Sequence, residues 1–191
     1  MRMLNMQPAH YFDLDIRSET DLNAPETMSL ALRILHGSGK VFALSLPSME
    51  KKNLGEKLRI FSSSKGDLEH IQDRMTIGPL DDYVLIRRIK PVPVTNVFES
   101  FTTLNIKSFG SRNARRIRRG HEAYDDETVL KIQEKNKFLD GICFLWVKSK
   151  TNNQQFKLFI VRNSVSQGSN GNPDSYGFSS PSNVIALPVF P

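Results

Sequence analysis

The sequence predicts an α+β fold, because strand-like and helix-like periodicities alternate along its first ninety residues. Residues 10–16 (HYFDLDI) alternate apolar and polar side chains, as a half-buried strand does. The elements predicted in this half are strand 10–16, helix 25–37, strand 41–46, strand 58–61, helix 67–75 and strand 83–89. This β-α-β-β-α-β order is that of the ferredoxin-like (RRM-like) fold.

Both predicted helices have one apolar face. In the first, Met28, Ala31, Leu32 and Leu35 recur at helical spacing, with Pro25 near the start and Gly37 at the end. The second turns Leu68, Ile71 and Met75 inward. The third strand, Leu-Arg-Ile-Phe, lacks the aromatic residues on which RRM modules stack bases, so the sheet face is not predicted to bind single-stranded RNA.

A stiff connector at residues 90–94, which contains two prolines, divides the chain into a ferredoxin-like domain (1–90) and a second α+β domain (91–191), which holds the arginine-rich helix described below. The elements predicted for the second domain are strand 97–106, an arginine-rich helix 112–119, a helix from the cap Asp125 to about 135, and strands 142–148 and 155–161. Residues 163–175 are rich in Ser, Asn and Gly and predict a mobile loop, and residues 176–190 close the chain.

The excess positive charge of the chain lies in one segment. The sequence has 26 Lys and Arg against 20 Asp and Glu, and residues 101–121 hold six basic side chains and no acidic one. These six are Lys107, Arg112, Arg115, Arg116, Arg118 and Arg119. Guanidinium groups bind phosphate bidentately and stay charged, so the segment indicates a polyanion. The alternatives are a solvated charged face and a localisation-type basic run.

The arginine-rich segment also has helical geometry. Ser111 is suited to the N-cap and Gly120 to the position after the C-cap. Helical spacing puts Arg112, Arg115, Arg116 and Arg119 on one face, with Ala114, Ile117, His121 and Tyr124 opposite. We therefore expect the helix to dock by a small apolar stripe and to present an arginine ridge to a nucleic acid.

Composition argues against several classes of protein. No apolar run approaches the roughly 18–20 residues of a membrane span, and the N-terminal stretch lacks the apolar core of a secretory signal, so we expect a cytoplasmic protein. The single cysteine, Cys143, lies in an apolar run and is predicted to be a buried hydrophobe, not a nucleophile. The four histidines have no metal-ligand spacing, so neither a metal nor another cofactor is predicted.

Histidine is then the agent left for acid–base chemistry. His36 ends the first predicted helix, beside the small residues 37–39, where it is expected to be exposed. The alternative is that His36 only caps that helix. His10 begins a strand, His70 lies among charged residues on a helix, and His121 follows the arginine helix, so each of these has a structural explanation.

Six landmarks occur in order along nearly the whole chain: residues 10–17 (HYFDLDIR), Leu35-His36, residues 55–60 (GEKLRI), the arginine helix ending in His121, Ser149 with residues 156–160 (FKLFI), and residues 175–178 (SYGF). Together they resemble the CRISPR-associated repeat-processing endoribonucleases of the type I-F system. The resemblance implies cleavage of pre-crRNA without metal at the 3′ base of a repeat hairpin, leaving a 2′,3′-cyclic phosphate and a 5′-hydroxyl. It also implies a protein that is monomeric alone and that stays bound to crRNA with the other subunits of the type I-F surveillance complex.

The resemblance also assigns roles to residues. It implies that His36 is the general base, that Ser149 positions the attacking ribose, and that Tyr176 orients the histidine. The RNA-binding residues it implies, together with the basic segment, are Asn105, Lys107, Arg112, Arg115, Arg116, Arg118, Arg119, His121 and Phe156, the last stacking on the terminal base pair. The structural alternatives are a strand-end hydroxyl for Ser149 and core packing for the two aromatic residues.

The sequence departs from the family pattern before the arginine helix. Thr103 and Asn105 stand where the family has an Arg-x-Gln pair that reads two base pairs. Asn can pair with adenine, but Thr cannot replace an arginine fork on guanine, which leaves Lys107 as the residue to compensate. The segment between His36 and Val41 is also shorter than in the family. A non-catalytic RNA-hairpin-binding module is the alternative function, and an architectural protein for double-stranded DNA is a third.

Overall fold

The computed structural model describes residues 6–17, 22–104, 109–137, 141–148, 154–167, 169 and 171–191. The chain forms two compact units. The first comprises Met1–Leu104 and Cys143–Pro191, and the second comprises Asn105–Ile142. Both sheets described below belong to the first unit. The predicted domain boundary near residue 90 stays a prediction.

The first sheet of this unit has the predicted topology. Its elements are β1 (His10–Ile16), α1 (Ala24–Gly37), β2 (Ala43–Ser45), β3 (Lys57–Ser62), α2 (Lys65–Thr76) and β4 (Val84–Ile86). The strand order is β2-β3-β1-β4 and all neighbours are antiparallel. This is the ferredoxin-like arrangement, and the predicted α+β fold class is confirmed. Part of the predicted connector is itself paired, because β5 (Lys90–Pro91) adds to the edge of β1.

Local sequence signals account for the helix that carries His36. Asn23 and Glu26 form a capping box at the start of α1, in which each side chain bonds the other's backbone N–H. The buried face of α1 contains the predicted Met28, Ala31, Leu32 and Leu35. These residues join Phe12 and Leu14 of β1 in the core, so α1 is held against the sheet and its last residues have a defined position.

The second sheet contains β6 (Phe98–Leu104), β7 (Phe144–Lys148), β8 (Gln155–Val165) and β9 (Leu187–Pro188), in the order β7-β8-β6-β9. β8 is four residues longer than predicted, because its far end pairs with the start of β6, Phe98 opposite Val165. α1 packs beside β7, which joins the two sheets of the unit. Cys143 is buried as predicted, and burial raises the pKa of its thiol.

The second unit contains α3 (Phe109–Arg118) and α4 (Asp126–Lys137). α3 begins two residues before the predicted cap, so Ser111 lies inside the helix; a cap preference of about 1 kcal/mol does not stop a helix from extending by a half-turn. The predicted end is confirmed. Gly120 has a φ of 77°, Gly120 N–H donates to Ile117, and His121 N–H donates to Arg116, which is a Schellman motif.

Asp125 caps α4 as predicted, since its carboxylate accepts a hydrogen bond from Thr128 N–H at 2.7 Å. The hydrogen bonds from Thr128 hold the pKa of Asp125 below its ordinary value. Across the described ranges, no helix is both long and apolar enough to cross a membrane.

Candidate active site

The end of α1 places His36 against the segment that follows β8. Nδ1 of His36 lies 2.8 Å from the carbonyl oxygen of Ser175. A carbonyl oxygen can only accept, so Nδ1 must carry the proton in this hydrogen bond. The neutral imidazole is therefore the Nδ1–H tautomer, and its Nε2 keeps a lone pair. This is the protonation state that a general base at Nε2 requires.

Two aromatic rings complete the cluster. The ring of Tyr176 stacks on the imidazole of His36, with centroids 4.9 Å apart and planes inclined by 20°. Phe156 of β8 meets Tyr176 edge to face at a centroid distance of 6.3 Å. The structure thus brings together three predicted site residues that are far apart in the sequence. Phe156 is 37% exposed, so its ring is not a core aromatic and is free to stack on a base.

Tyr176 remains a neutral phenol in this environment. Burial raises its pKa above the ordinary value, and the nearby negative charge of Asp174 raises it further. A neutral ring packed on one face of the imidazole restricts the rotation of His36 without competing for its proton.

A turn at residues 174–178 positions Tyr176, and one carboxylate organises it. Oδ1 of Asp174 accepts hydrogen bonds from the backbone N–H groups of Tyr176 (2.8 Å) and Phe178 (3.0 Å). Oδ2 accepts from the hydroxyl of Thr103 on β6, at 3.1 Å. Ser175 lies inside this turn, so its carbonyl is held in place for the contact with His36.

Gly177 fixes the turn to the first sheet. Its φ of 84° is in the left-handed region, and a Cβ there would lie 2.5 Å from the ring of Phe42. The carbonyl of Gly177 also accepts a hydrogen bond of 2.7 Å from the N–H of Leu44 in β2. No residue larger than glycine fits this turn as it stands.

Sequence reasoning missed Asp174 of this site, and it considered Thr103 only as the residue that stands in place of the family's base-reading arginine. Residues 163–175 were expected to be a mobile loop, yet 163–165 belong to β8 and Asp174 makes the hydrogen bonds that order the turn. The dipeptide Pro173-Asp174, followed by Gly177, is a turn signature that could have identified Asp174. No comparable local pattern marks Thr103 as the partner of Asp174; it is buried and bonded to Asp174 at the position where the family has the arginine of its Arg-x-Gln pair.

Three of the predicted site residues, Asn105, Lys107 and Ser149, lie outside the described residues. Arg112 belongs to α3, and its side chain is likewise outside the described part of the chain. His121 is exposed just after the helix.

The arginines of α3 do not form a uniform ridge. Arg115, Arg118 and Arg119 are exposed, and none of them has an ion pair within the described residues. Arg116 instead folds back, donating from Nε to the carbonyl of Glu122 at 2.6 Å and lying 5.0 Å from the ring of Tyr124.

The expected apolar stripe is also wrong at Ile117, which is 54% exposed. The direction of the Arg116 side chain is set by its contacts with Glu122 and Tyr124 after the helix, and not by helical spacing alone. The free cationic surface of α3 in the described structure is therefore Arg115, Arg118 and Arg119. Within the same described ranges, no group of three or more His, Cys, Asp or Glu side chains is placed to hold a metal ion.

Comparison with known proteins adds three findings. The family model described as CRISPR-associated protein (Cas_Csy4) matches residues 11–190. The chain is also similar to the CRISPR-associated endonuclease Cas6/Csy4 of Pseudomonas aeruginosa (strain UCBPP-PA14), with 26% identity over 158 residues, 79% of this chain and 84% of the relative. A solved structure titled CRISPR associated protein Cas6 aligns over 96% of this chain and all of its own, with a TM-score of 0.42 and 13% identity.

Proposed function

The chain belongs to the Cas_Csy4 family of CRISPR-associated proteins, and from that premise we propose that it is an endoribonuclease that processes CRISPR repeat RNA. The finer proposal is that it binds the repeat hairpin, cuts pre-crRNA once at the 3′ base of the stem without a metal ion, and keeps the mature crRNA. We also propose that it then joins other subunits of a type I-F surveillance complex.

The proposed reaction uses Nε2 of His36 as the base. Nε2 takes the proton of the ribose 2′-hydroxyl at the cut, and the 2′-oxygen attacks the adjacent phosphorus in line. The bond from phosphorus to the 5′-oxygen of the next nucleotide breaks, and that oxygen takes up a proton from solvent, to which the His36 imidazolium then releases the proton it took. The products are a 2′,3′-cyclic phosphate and a 5′-hydroxyl, so no water is consumed in this step.

One observation carries the catalytic part of the proposal. The Ser175 carbonyl 2.8 Å from Nδ1 leaves Nε2 unprotonated in the neutral ring, and the Tyr176 ring holds the imidazole from one side. A histidine that merely capped α1 would instead bond the last carbonyls of its own helix, and Ser38 occupies that role through its hydroxyl bond to Leu35 O. Ser149, which we propose positions the ribose, lies outside the described residues.

The proposed substrate contacts come from both units. On the second unit, Arg115, Arg118 and Arg119 offer charge to the phosphates of the hairpin, entering the groove from the open loop end. On the first unit, the exposed ring of Phe156 beside Tyr176 offers a stacking surface for the terminal base pair.

A cleavage assay in EDTA tests the proposal. The protein is incubated with RNA carrying the repeat hairpin, and in parallel with the same RNA carrying a single 2′-deoxy substitution at the nucleotide 5′ to the cut. We expect cleavage of the first RNA only, with a cyclic phosphate on the 5′ fragment. Tight binding without cleavage of either RNA would make the protein a non-catalytic hairpin-binding module, and cleavage of both would rule out attack by the 2′-hydroxyl.

A further inference from the structure

We propose that Asp174 is a positioning residue for the base, because its carboxylate builds the turn whose Ser175 carbonyl selects the Nδ1–H tautomer of His36. The inference rests on the proposed function, in which His36 acts at Nε2. Asp174 makes no hydrogen bond to His36 itself, so it acts through the backbone of the turn and not on the reacting atoms.

The geometry of the turn carries the argument. Oδ1 of Asp174 gathers two backbone N–H groups, those of Tyr176 and Phe178, which lie on either side of Gly177. The backbone closes the same turn, with Asp174 N–H donating to the carbonyl of Phe178 at 2.8 Å and Gly177 N–H donating to that of Asp174 at 3.0 Å. Ser175 thus lies between residues whose backbone groups are hydrogen-bonded within the turn. Its carbonyl oxygen is held in contact with Nδ1 of His36.

The tautomer matters because the two imidazole nitrogens exchange roles with it. In the Nε2–H tautomer the free lone pair would be on Nδ1, which faces the Ser175 carbonyl, and two acceptors would then oppose each other. If the turn opens, this bias is lost and both neutral forms become populated. Only the molecules with Nδ1–H would then be ready to take a proton from the substrate.

Thr103 gives the carboxylate its second anchor. It is a buried residue of β6, its backbone N–H donates to the carbonyl of Ser179 at 2.9 Å, and its hydroxyl donates to Oδ2 of Asp174. The sheet therefore holds the carboxylate, the carboxylate holds the turn, and the turn holds the histidine. Thr103 stands where the family has a base-reading arginine, and in this chain it supports the turn from inside the protein.

Two readouts test the proposal, and only one depends on RNA cleavage. The first is the tautomer of His36 in the free protein, from ¹⁵N NMR of the imidazole at a pH where it is neutral, assigned with His36→Gln. The second is the single-turnover cleavage rate at saturating protein, measured with the Kd for RNA carrying the repeat hairpin. The variants are Asp174→Ala, Asp174→Asn and Thr103→Val, with the exposed Asp73→Ala as control.

We expect Asp174→Ala to populate both tautomers and to lower the cleavage rate about 10- to 100-fold, because the ring loses its fixed orientation as well as the tautomer bias, as when groups that orient metal-binding histidines are removed. Its Kd should change less than about threefold, because the turn supplies no phosphate contact. Asp174→Asn should keep the Nδ1–H tautomer and most of the rate, since the amide oxygen still accepts from both N–H groups. Thr103→Val, which removes the hydroxyl that donates to Oδ2 of Asp174, should lower the rate about 2- to 10-fold.

The proposal is overturned if Asp174→Ala keeps both the Nδ1–H tautomer and the parent rate, or if Asp174→Asn loses as much as Asp174→Ala. If Asp174→Ala does not fold by circular dichroism, the milder Thr103→Val and Asp174→Asn decide the question. A parent protein that cuts no RNA would remove the proposed function, and the NMR readout would still show whether Asp174 sets the tautomer.

Discussion

Among the described residues, the imidazole of His36 makes one hydrogen bond and one ring contact, and both partners belong to the turn whose Ser175 lies 139 residues further along the chain. The Ser175 carbonyl sets where the proton is, and the Tyr176 ring sets the plane of the imidazole. A single side chain becomes a candidate base because its neighbours leave it one usable orientation.

The first prediction concerns His36 itself. His36→Ala should lower the cleavage rate about 10²- to 10⁴-fold, the usual contribution of a general base, because no other described side chain of the cluster can take the proton at neutral pH. The Kd for hairpin RNA should stay within about threefold, since the phosphate contacts come from arginines. Single-turnover kinetics and filter binding measure the two quantities. His70→Ala, on the exposed side of α2, is the control. A near-normal rate in His36→Ala would remove this residue from the mechanism.

At the scale of elements, the turn at 174–178 and the helix α3 supply what the chemistry requires. The turn is held by Asp174 on one side and by Leu44 and Phe42 on the other, so it has no freedom to move away from α1. In α3, Arg116 folds back and bonds the segment that follows the helix. The side chains of Arg115, Arg118 and Arg119 are exposed to solvent.

Gly177→Ala tests the turn. An alanine at a φ of 84° costs about 1–2 kcal/mol of backbone strain, and the contact of its Cβ with Phe42 adds about 1–3 kcal/mol. Gly39→Ala is a matched control, because Gly39 has a φ of 69° and open space around it, so only the backbone term applies. Urea unfolding measures both variants. Equal losses of stability would show that the turn is not packed against Phe42.

The charge of α3 is tested through the salt dependence of RNA binding. Neutralising Arg115, Arg118 and Arg119 to Gln should reduce the slope of log K against log salt by about 2–3, because each phosphate contact contributes about 0.7–0.9. The control replaces three exposed lysines of the first unit, Lys51, Lys52 and Lys65, by Gln, with the same loss of charge. We expect that control to keep the parent slope. A slope unchanged in the arginine variant would mean that α3 does not contact the RNA.

At the scale of the whole molecule, one buried arginine ties the start of the chain to its last residues. Arg59 of β3 is 3% exposed, and it donates to both oxygens of Asp13 on β1, at 2.6 and 3.0 Å. It also donates to the carbonyl of Phe190 and to a main-chain oxygen of Pro191, and its guanidinium lies 4.0 Å from the Phe190 ring centroid. The first sheet and the terminal segment are thereby held in one core.

Asp13→Ala should therefore lower the free energy of unfolding by about 3–5 kcal/mol, because it leaves the Arg59 charge buried without its partner. The control is Glu127→Ala, which removes an exposed ion pair with Lys131 on α4 and should cost about 0.3–0.5 kcal/mol. Guanidinium chloride unfolding measures both. A loss in Asp13→Ala as small as in the control would show that the Arg59 pair adds no stability.

Local patterns were good predictors where the structure depends on neighbouring residues. Period-two alternation located β1, helical spacing located the buried faces of α1 and α2, and Gly120 marked the end of α3. The predictions that differed concern side chains whose partners lie elsewhere. Helical spacing predicts that Ile117 packs against the protein, but its side chain is exposed. Helical spacing places Arg116 on the arginine ridge, but its side chain folds back onto Glu122. Periodicity predicts which residues share one face of a helix, but it does not predict which other part of the protein that face contacts.

The sequence by itself determined the α+β fold class, the order of the elements in the first sheet, and the concentration of arginine that indicates a polyanionic partner. The tertiary structure alone decided the chemistry of the site. It brings Thr103 to Asp174 across 71 residues and His36 to Ser175 across 139, and these contacts select one tautomer of one histidine. The physical reason is the distance along the sequence over which each interaction acts. Periodicity and helix caps depend on residues a few positions apart, whereas a hydrogen bond between residues far apart in the sequence forms only after the folded core has brought both partners together.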